Sequence, residues 1–172
     1  MQGVLDVIEE RLTELGIVLP DLPTIGAYLG WSPFSTRTDH RFKSHHIVGN
    51  VLYMTGHIPI QANGTPLHPG RLGEDVTTEQ GYQAARLTGL NCLAGIKYVL
   101  GDLDRVKAIV RAENFVVCTP DYEQVPQVAD GLTDLFVEVF GEERGMGCRA
   151  TMGIMKLSGR YCFETVSTVE FE

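Results

Sequence analysis

The chain has 172 residues, a length suited to one domain of ordinary size. Hydrophobic residues make up 44% and charged residues 21%, which is enough apolar content for a real core. The 14 Lys and Arg against 22 Asp and Glu leave a formal charge of −8, and no basic cluster stands out, so nucleic acid is not the expected partner.

The N-terminus reads MQGVLDVIEERLTELG. It carries acids early and has no apolar core bounded by a cleavage site, so it does not read as a secretory signal. Val4, Leu5, Ile8, Leu12 and Leu15 recur at helical spacing, which predicts a helix over about 4–16 stopped by Gly16. A Pro-rich connector follows, and residues 26–44 are turn-rich and predicted irregular. His46–Val48 and Val51–Met54 flank Gly49-Asn50 and predict a hairpin, and the apolar stretch runs on through Thr55–Ile60. Thr77 and Gln80 form a possible capping box before a helix running to Leu100, with Gly101 as its stop. Val106–Cys118 reads as β. Asp121 is a candidate N-cap for a second long helix over Tyr122–Phe140, closed by Gly141; Pro126 then has to lie in its first turn. Arg149–Leu157 and Tyr161–Phe171 are predicted as two strands joined at Ser158-Gly159, a closing hairpin.

No apolar run approaches the roughly 20 residues that span a bilayer. The expectation is a soluble, cytoplasmic protein with no membrane partner. Cys92, Cys118, Cys148 and Cys162 show no CxxC pair and read as reduced thiols. There is no second composition regime and no long linker, so 1–172 is expected to form a single α+β domain. The last strand places Tyr161, Phe163, Thr165, Ser167, Val169 and Phe171 on one face and Cys162, Glu164, Val166, Thr168 and Glu170 on the other. Both faces are partly apolar. Two helices cover one face, so the other is expected to be buried by oligomerisation.

Three ordered segments carry a family resemblance. They are Gly49–Pro59 (GNVLYMTGHIP), Gly101–Val106 (GDLDRV), and Arg149–Leu157 with the Glu that follows Arg149 by fifteen positions, Glu164. Together they resemble the RidA family, also called the YjgF or UK114 family, over a core of 45–171. Residues 1–44 resemble the N-terminal extension of a longer branch of that family. The resemblance implies a chorismate-mutase-like fold: a mixed sheet with two helices packed on one face, and three subunits joined in a homotrimeric barrel with clefts between them. In archetypal members the cleft hydrolyses 2-aminoacrylate-type enamines or imines to 2-keto acids and ammonia, with no metal or organic cofactor. The implied partner is a small carboxylate-bearing metabolite.

Residue by residue, Arg149 matches the Arg that binds the substrate carboxylate. A planar, permanently charged fork suits that role. Glu164 matches the acid that positions or activates water, and one proton acceptor suffices for attack on a C=N carbon. Thr151 stands where the archetype has Cys, and Gly56 matches a glycine lining the cleft. Phe42 falls where the archetype has Tyr, without its hydroxyl. Gly147-Cys148, Thr165 and Pro126 depart from the usual pattern.

Without the resemblance, Arg149 and Glu164 read as a surface cross-strand pair. His45 and His46 are adjacent in a strand, point to opposite faces and do not chelate one ion easily. His57 aligns with the family's Gln and reads as a loop-orienting residue. No HxH or HExxH spacing marks a zinc site. Gly95 inside a helix reads as a close-packing point, and Trp31 as packing. Cys148 has no designated base and is not read as a nucleophile. Four functions stand: an imine or enamine deaminase, a non-enzymatic small-molecule binder or regulator, a specialised deaminase or hydrolase on a larger substrate, and an endoribonuclease. Arg149 and Glu164 favour the first, and the acidic charge disfavours the last.

Overall fold

The computed structural model describes residues 7–21 and 43–172. Helix α1 spans Val7–Glu14. Ile8 and Leu12 lie one turn apart, so both point inward, and both join the main core. The carboxylate of Asp104 accepts from the Ile8 N–H, Lys97 pairs with Glu9 at 2.5 Å, and Arg11 Nε donates to the Glu138 carbonyl. The N-terminal segment is therefore tied to the same body as the helices it covers.

Strands β1 (His45–Val48) and β2 (Val51–Met54) form the expected antiparallel hairpin around Gly49-Asn50. The chain then leaves the ladder, and, among the described residues, 55–60 pair with the sheet at one isolated bridge, His57 to Thr165. Helix α2 runs Thr78–Leu100. Its capping box is formed in both directions: Gln80 N–H donates to the Thr77 hydroxyl, and the Thr77 N–H donates to the Gln80 side chain. At its other end Gly101 adopts φ 83°, the left-handed region open to glycine, and its N–H reaches the Lys97 carbonyl.

Strand β3 covers Val106–Val117 and helix α3 Val125–Gly145. The helix starts three residues later than the sequence predicts. Gln124, not Asp121, is at the cap position, and Pro126 falls in the first turn, where its missing N–H costs nothing. Tyr122 instead donates its hydroxyl to Thr78 at the start of α2. Gly141 breaks the helix after Phe140, as predicted. One further turn carries Arg144, whose Nε donates to the Val106 carbonyl.

Strands β4 (Cys148–Ile154) and β5 (Phe163–Phe171) complete a five-stranded sheet in the order β1-β2-β5-β3-β4. They do not form the predicted hairpin. Helix α3 carries the chain across the sheet, so β4 returns parallel to β3 on an edge, while β5 inserts antiparallel between β3 and β2. The burial pattern explains the swap. Phe163, Thr165, Ser167, Val169 and Phe171 are all buried and need neighbours on both sides, whereas β4 is largely exposed and suits an edge. Helices α2 and α3 pack together on this buried face, over a core that includes the fully enclosed Phe136 and Phe163. The fold is the mixed α+β arrangement expected from the resemblance.

Candidate functional site

Register assigns every sheet residue to a face. Glu164 lies opposite Phe115, and Phe115 opposite Met152, so these three side chains share the face turned away from the helices. The next row on that face is Val166, Glu113 and Ala150, and the one after it Thr168, Arg111 and Cys148. Among the described residues no helix covers this face. Tyr53 and Met152 are exposed on it, and Arg111 pairs with Glu113 at 2.7 Å.

Glu164 is half-buried, and burial pushes its carboxyl above the ordinary glutamate value. Part of that enclosure is Gly56. A Cβ placed on Gly56 would come within 2.0 Å of Glu164 Oε1, so only a residue without a side chain lets the carboxyl lie there. The structure thus brings together two of the residues the sequence singled out.

Arg149 lies elsewhere. It is in register with Ala112, which faces Ser167, and both are buried beneath the helices. Its guanidinium donates to the carboxylate of Asp130 at 2.7 Å and to the hydroxyl of Thr133 at 3.1 Å, both on α3. Arg149 and Glu164 are therefore on opposite faces, with β3 between them and an offset of three residues. That is roughly 10 Å across the sheet and roughly 10 Å along it. One protomer does not hold them on one small molecule. Thr151 follows Arg149 on the same face, opposite Asn114, which is opposite Thr165. Thr165 donates to Asn114 Oδ1 at 2.8 Å. The Thr151 hydroxyl and the Asn114 amide nitrogen are buried and find no hydrogen-bond partner among the described residues. Phe42 and Trp31 lie outside the described residues.

His45 and His46 alternate on the edge strand β1, with His45 bonded to Ser44. Cys148 is exposed. His57 is buried, its Nδ1 lies 2.9 Å from the Thr55 carbonyl, and desolvation holds its imidazole down to about 4. Among the described residues no three His, Cys, Asp or Glu side chains gather as a metal ligand set, and no helix is long and apolar enough to cross a membrane.

Sequence reasoning missed the two α3 residues that hold Arg149, and it missed Asn91. Asn91 donates to the carbonyls of Ile58 and Ile60 and so fastens the loop that carries Gly56. Its signal was a polar residue on the apolar stripe of α2, four positions before Gly95.

A family described as "YjgF/chorismate mutase-like, putative endoribonuclease" matches residues 9–163. Protein TCP17 of Trypanosoma cruzi is 32% identical over 155 residues, covering 90% of this chain and 94% of its own. The crystal structure of Atu1372 from Agrobacterium tumefaciens is 30% identical, with a TM-score of 0.81, and covers 97% of this chain and 95% of that one. A crystal structure from Shewanella oneidensis, described as a putative endoribonuclease, is 29% identical with a TM-score of 0.81, and covers 95% of this chain and 99% of that one.

Proposed function

Because this chain belongs to the YjgF/chorismate mutase-like family, the RidA family of the sequence comparison, we propose that it hydrolyses enamine or imine intermediates of the 2-aminoacrylate type to 2-keto acids and ammonia. The observation that carries this reading is the half-buried Glu164 carboxyl resting on Gly56, on the open face of the sheet.

The chemistry follows from that carboxyl. The enamine tautomerises to an imine, whose C=N carbon is electrophilic. Glu164 as carboxylate takes a proton from water while the water oxygen bonds to that carbon. Glu164 returns that proton to the nitrogen, giving a neutral carbinolamine; the hydroxyl proton then passes to the same nitrogen as the C–N bond breaks, the C=O forms and ammonia leaves. Water supplies the carbonyl oxygen and the two hydrogens that end on ammonia, so no redox partner enters. A carboxylate whose value is raised above the ordinary is the stronger base, better suited to taking the proton from water.

The substrate carboxylate is assigned to Arg149, with Thr151 beside it. Since Arg149 and Glu164 lie on opposite faces of one sheet, a complete site needs Arg149 from one copy and Glu164 with Gly56 from another. This fits a homotrimer with its sites between subunits. Phe42, also carried over from the family, belongs to the same assignment.

A second reading has its own observation. A groove of about 340 Å³ opens beyond Thr151 on β4, lined by Gly153, Cys118, Tyr122, Val125 and Arg71 among others. It has room for more than a three-carbon imine and favours a larger substrate. An RNA substrate is not favoured by a chain of charge −8.

The test is a coupled assay that generates 2-aminoacrylate or longer imines in situ and follows their loss against a buffer blank. Glu164→Gln keeps shape but accepts no proton; it should lower turnover by roughly 10²–10⁴-fold with ligand affinity nearly unchanged. Arg149→Ala should weaken 2-keto acid binding by roughly 1.5–3 kcal/mol, a tenfold to hundredfold loss in calorimetric titration. Wild-type hydrolysis by Glu164→Gln would remove the catalytic assignment. Normal keto acid binding by Arg149→Ala would move the carboxylate clamp elsewhere.

A further inference from the structure

We propose that His57 is the positioning residue for Glu164: it stands between helix α2 and strand β5 and fixes the wall on which the Glu164 carboxyl rests. The inference builds on the reading of Glu164 as the acid that handles water.

The contacts of the 55–60 segment with strand β5 and helix α2 carry it. The His57 N–H donates to the Thr165 carbonyl at 2.8 Å, and the Thr165 N–H donates back to the His57 carbonyl at 2.9 Å. Thr165 directly follows Glu164, so this pair of bonds sets the phase of the loop against β5. Alternation then turns Gly56 toward Glu164 and the His57 ring toward the helices. The ring is tied to its own segment through Nδ1, which donates to the Thr55 carbonyl. On the far side it meets Gly95. A Cβ there would come within 2.7 Å of His57 Nε2 and 2.9 Å of Met54 Cε. Asn91, one turn earlier on the same face of α2, donates to Ile58 at 2.8 Å and to Ile60 at 3.1 Å. Helix α2 therefore presents one amide and one bare backbone position to the loop, and the imidazole fills the space between.

The chemistry of the ring agrees with this role. Enclosure holds it neutral near pH 7, so it gains or loses no proton there. Its action on Glu164 is mechanical. Any shift of the ring is passed through the 55–57 backbone to Gly56, and from Gly56 to the carboxyl.

Gly95→Ala tests this from a distance. The change is on α2, outside the proposed cleft, and alanine favours a helix more than glycine does. Its methyl displaces the His57 ring and with it the wall. The primary readout is a carbon NMR titration of the Glu164 side-chain carboxyl in the full chain, assigned with Glu164→Gln. In Gly95→Ala that carboxyl should titrate lower than in wild type, toward an ordinary glutamate, as its enclosure loosens. In the imine assay kcat should fall about tenfold with KM nearly unchanged, as for a group misplaced only at the reacting centre. His57→Asn keeps an N–H for Thr55 and lacks the ring atoms near Gly95. Adding Gly95→Ala to His57→Asn should therefore change nothing further.

A cooperatively folded Gly95→Ala whose Glu164 titrates as in wild type overturns the proposal. If Gly95→Ala does not fold, His57→Leu against His57→Asn decides: a lower Glu164 titration in the leucine variant alone supports positioning, and wild-type titration in both overturns it. A wild-type protein that turns over no imine, but whose Glu164 titration answers to Gly95, keeps the positioning and removes the proposed reaction. Intact turnover with a Glu164 titration indifferent to Gly95 does the reverse.

Discussion

His57 and Glu164 sit near each other and respond to burial in opposite directions. Loss of water disfavours the charged form of each, which lowers the imidazole and raises the carboxyl. For His57 the folded value is about 4 against an ordinary 6.5. Between those values the unfolded chain binds a proton that the folded chain refuses. Stability from this group is therefore full above about pH 6.5 and falls as pH drops toward 4, by about 3 kcal/mol in all. Glu164 acts the other way, since its raised value favours the folded state once the carboxyl is protonated. Comparing wild type with His57→Asn cancels that contribution. Urea unfolding at pH 7.5 and pH 4 should show wild type losing about 3 kcal/mol more than His57→Asn. Parallel losses would show that the ring takes up its proton without cost in the folded protein. Legibility at this scale was uneven. The Arg149-to-Glu164 spacing was visible in the sequence, but their opposite faces were not, because the strand between them comes earlier in the chain.

Elements whose ends are set by local chemistry were the most legible. The Thr77–Gln80 box and Gly101 bracket α2 because each satisfies backbone groups within four residues of itself. Thr77→Ala should cost about 1 kcal/mol, measured as a lower urea midpoint with an unchanged slope. No change would mean that packing of α2 on α3 and the sheet supplies its whole stability. The start of α3 was less legible. Asp121 is a good cap by composition, yet the Tyr122 hydroxyl bonds to Thr78 on another helix, and the helix begins only at Val125. The closing hairpin failed for a related reason. Ser158-Gly159 does make a tight turn there, but a turn does not oblige its flanking strands to pair.

Across the whole molecule, one sheet face is roofed by α2 and α3, and the other carries Tyr53, Phe115, Val166 and Met152 among charged groups. Under the proposed reaction, the separation of Arg149 from Glu164 adds a reason for association. Sedimentation equilibrium at micromolar concentration should give three times the 19.0 kDa chain mass. A sharper test mixes subunits. Arg149→Ala and Glu164→Gln, each impaired alone, should regain roughly a quarter of wild-type turnover when co-refolded in equal amounts, since random assembly pairs an intact Arg149 with an intact Glu164 at one site in four. No recovery from mixed trimers would place both residues' work within single protomers, or outside the site. A clean monomer would remove the inter-subunit site altogether.

The sequence by itself determined the elements, their approximate limits and the family. Hydrophobic period, capping residues and turn residues act over a few positions, and the ordered segments at 49–59, 101–106 and 149–164 are read in one dimension. Only the tertiary structure decided what lies beside what. Inserting β5 between β2 and β3 sent β4 to the edge and separated Arg149 from Glu164. It also brought Gly56, His57 and Gly95 into one contact chain, although Gly95 lies 38 positions beyond His57. Such contacts depend on which surfaces are left to bury once the helices have packed, and that is a property of the assembled core, not of any stretch of chain.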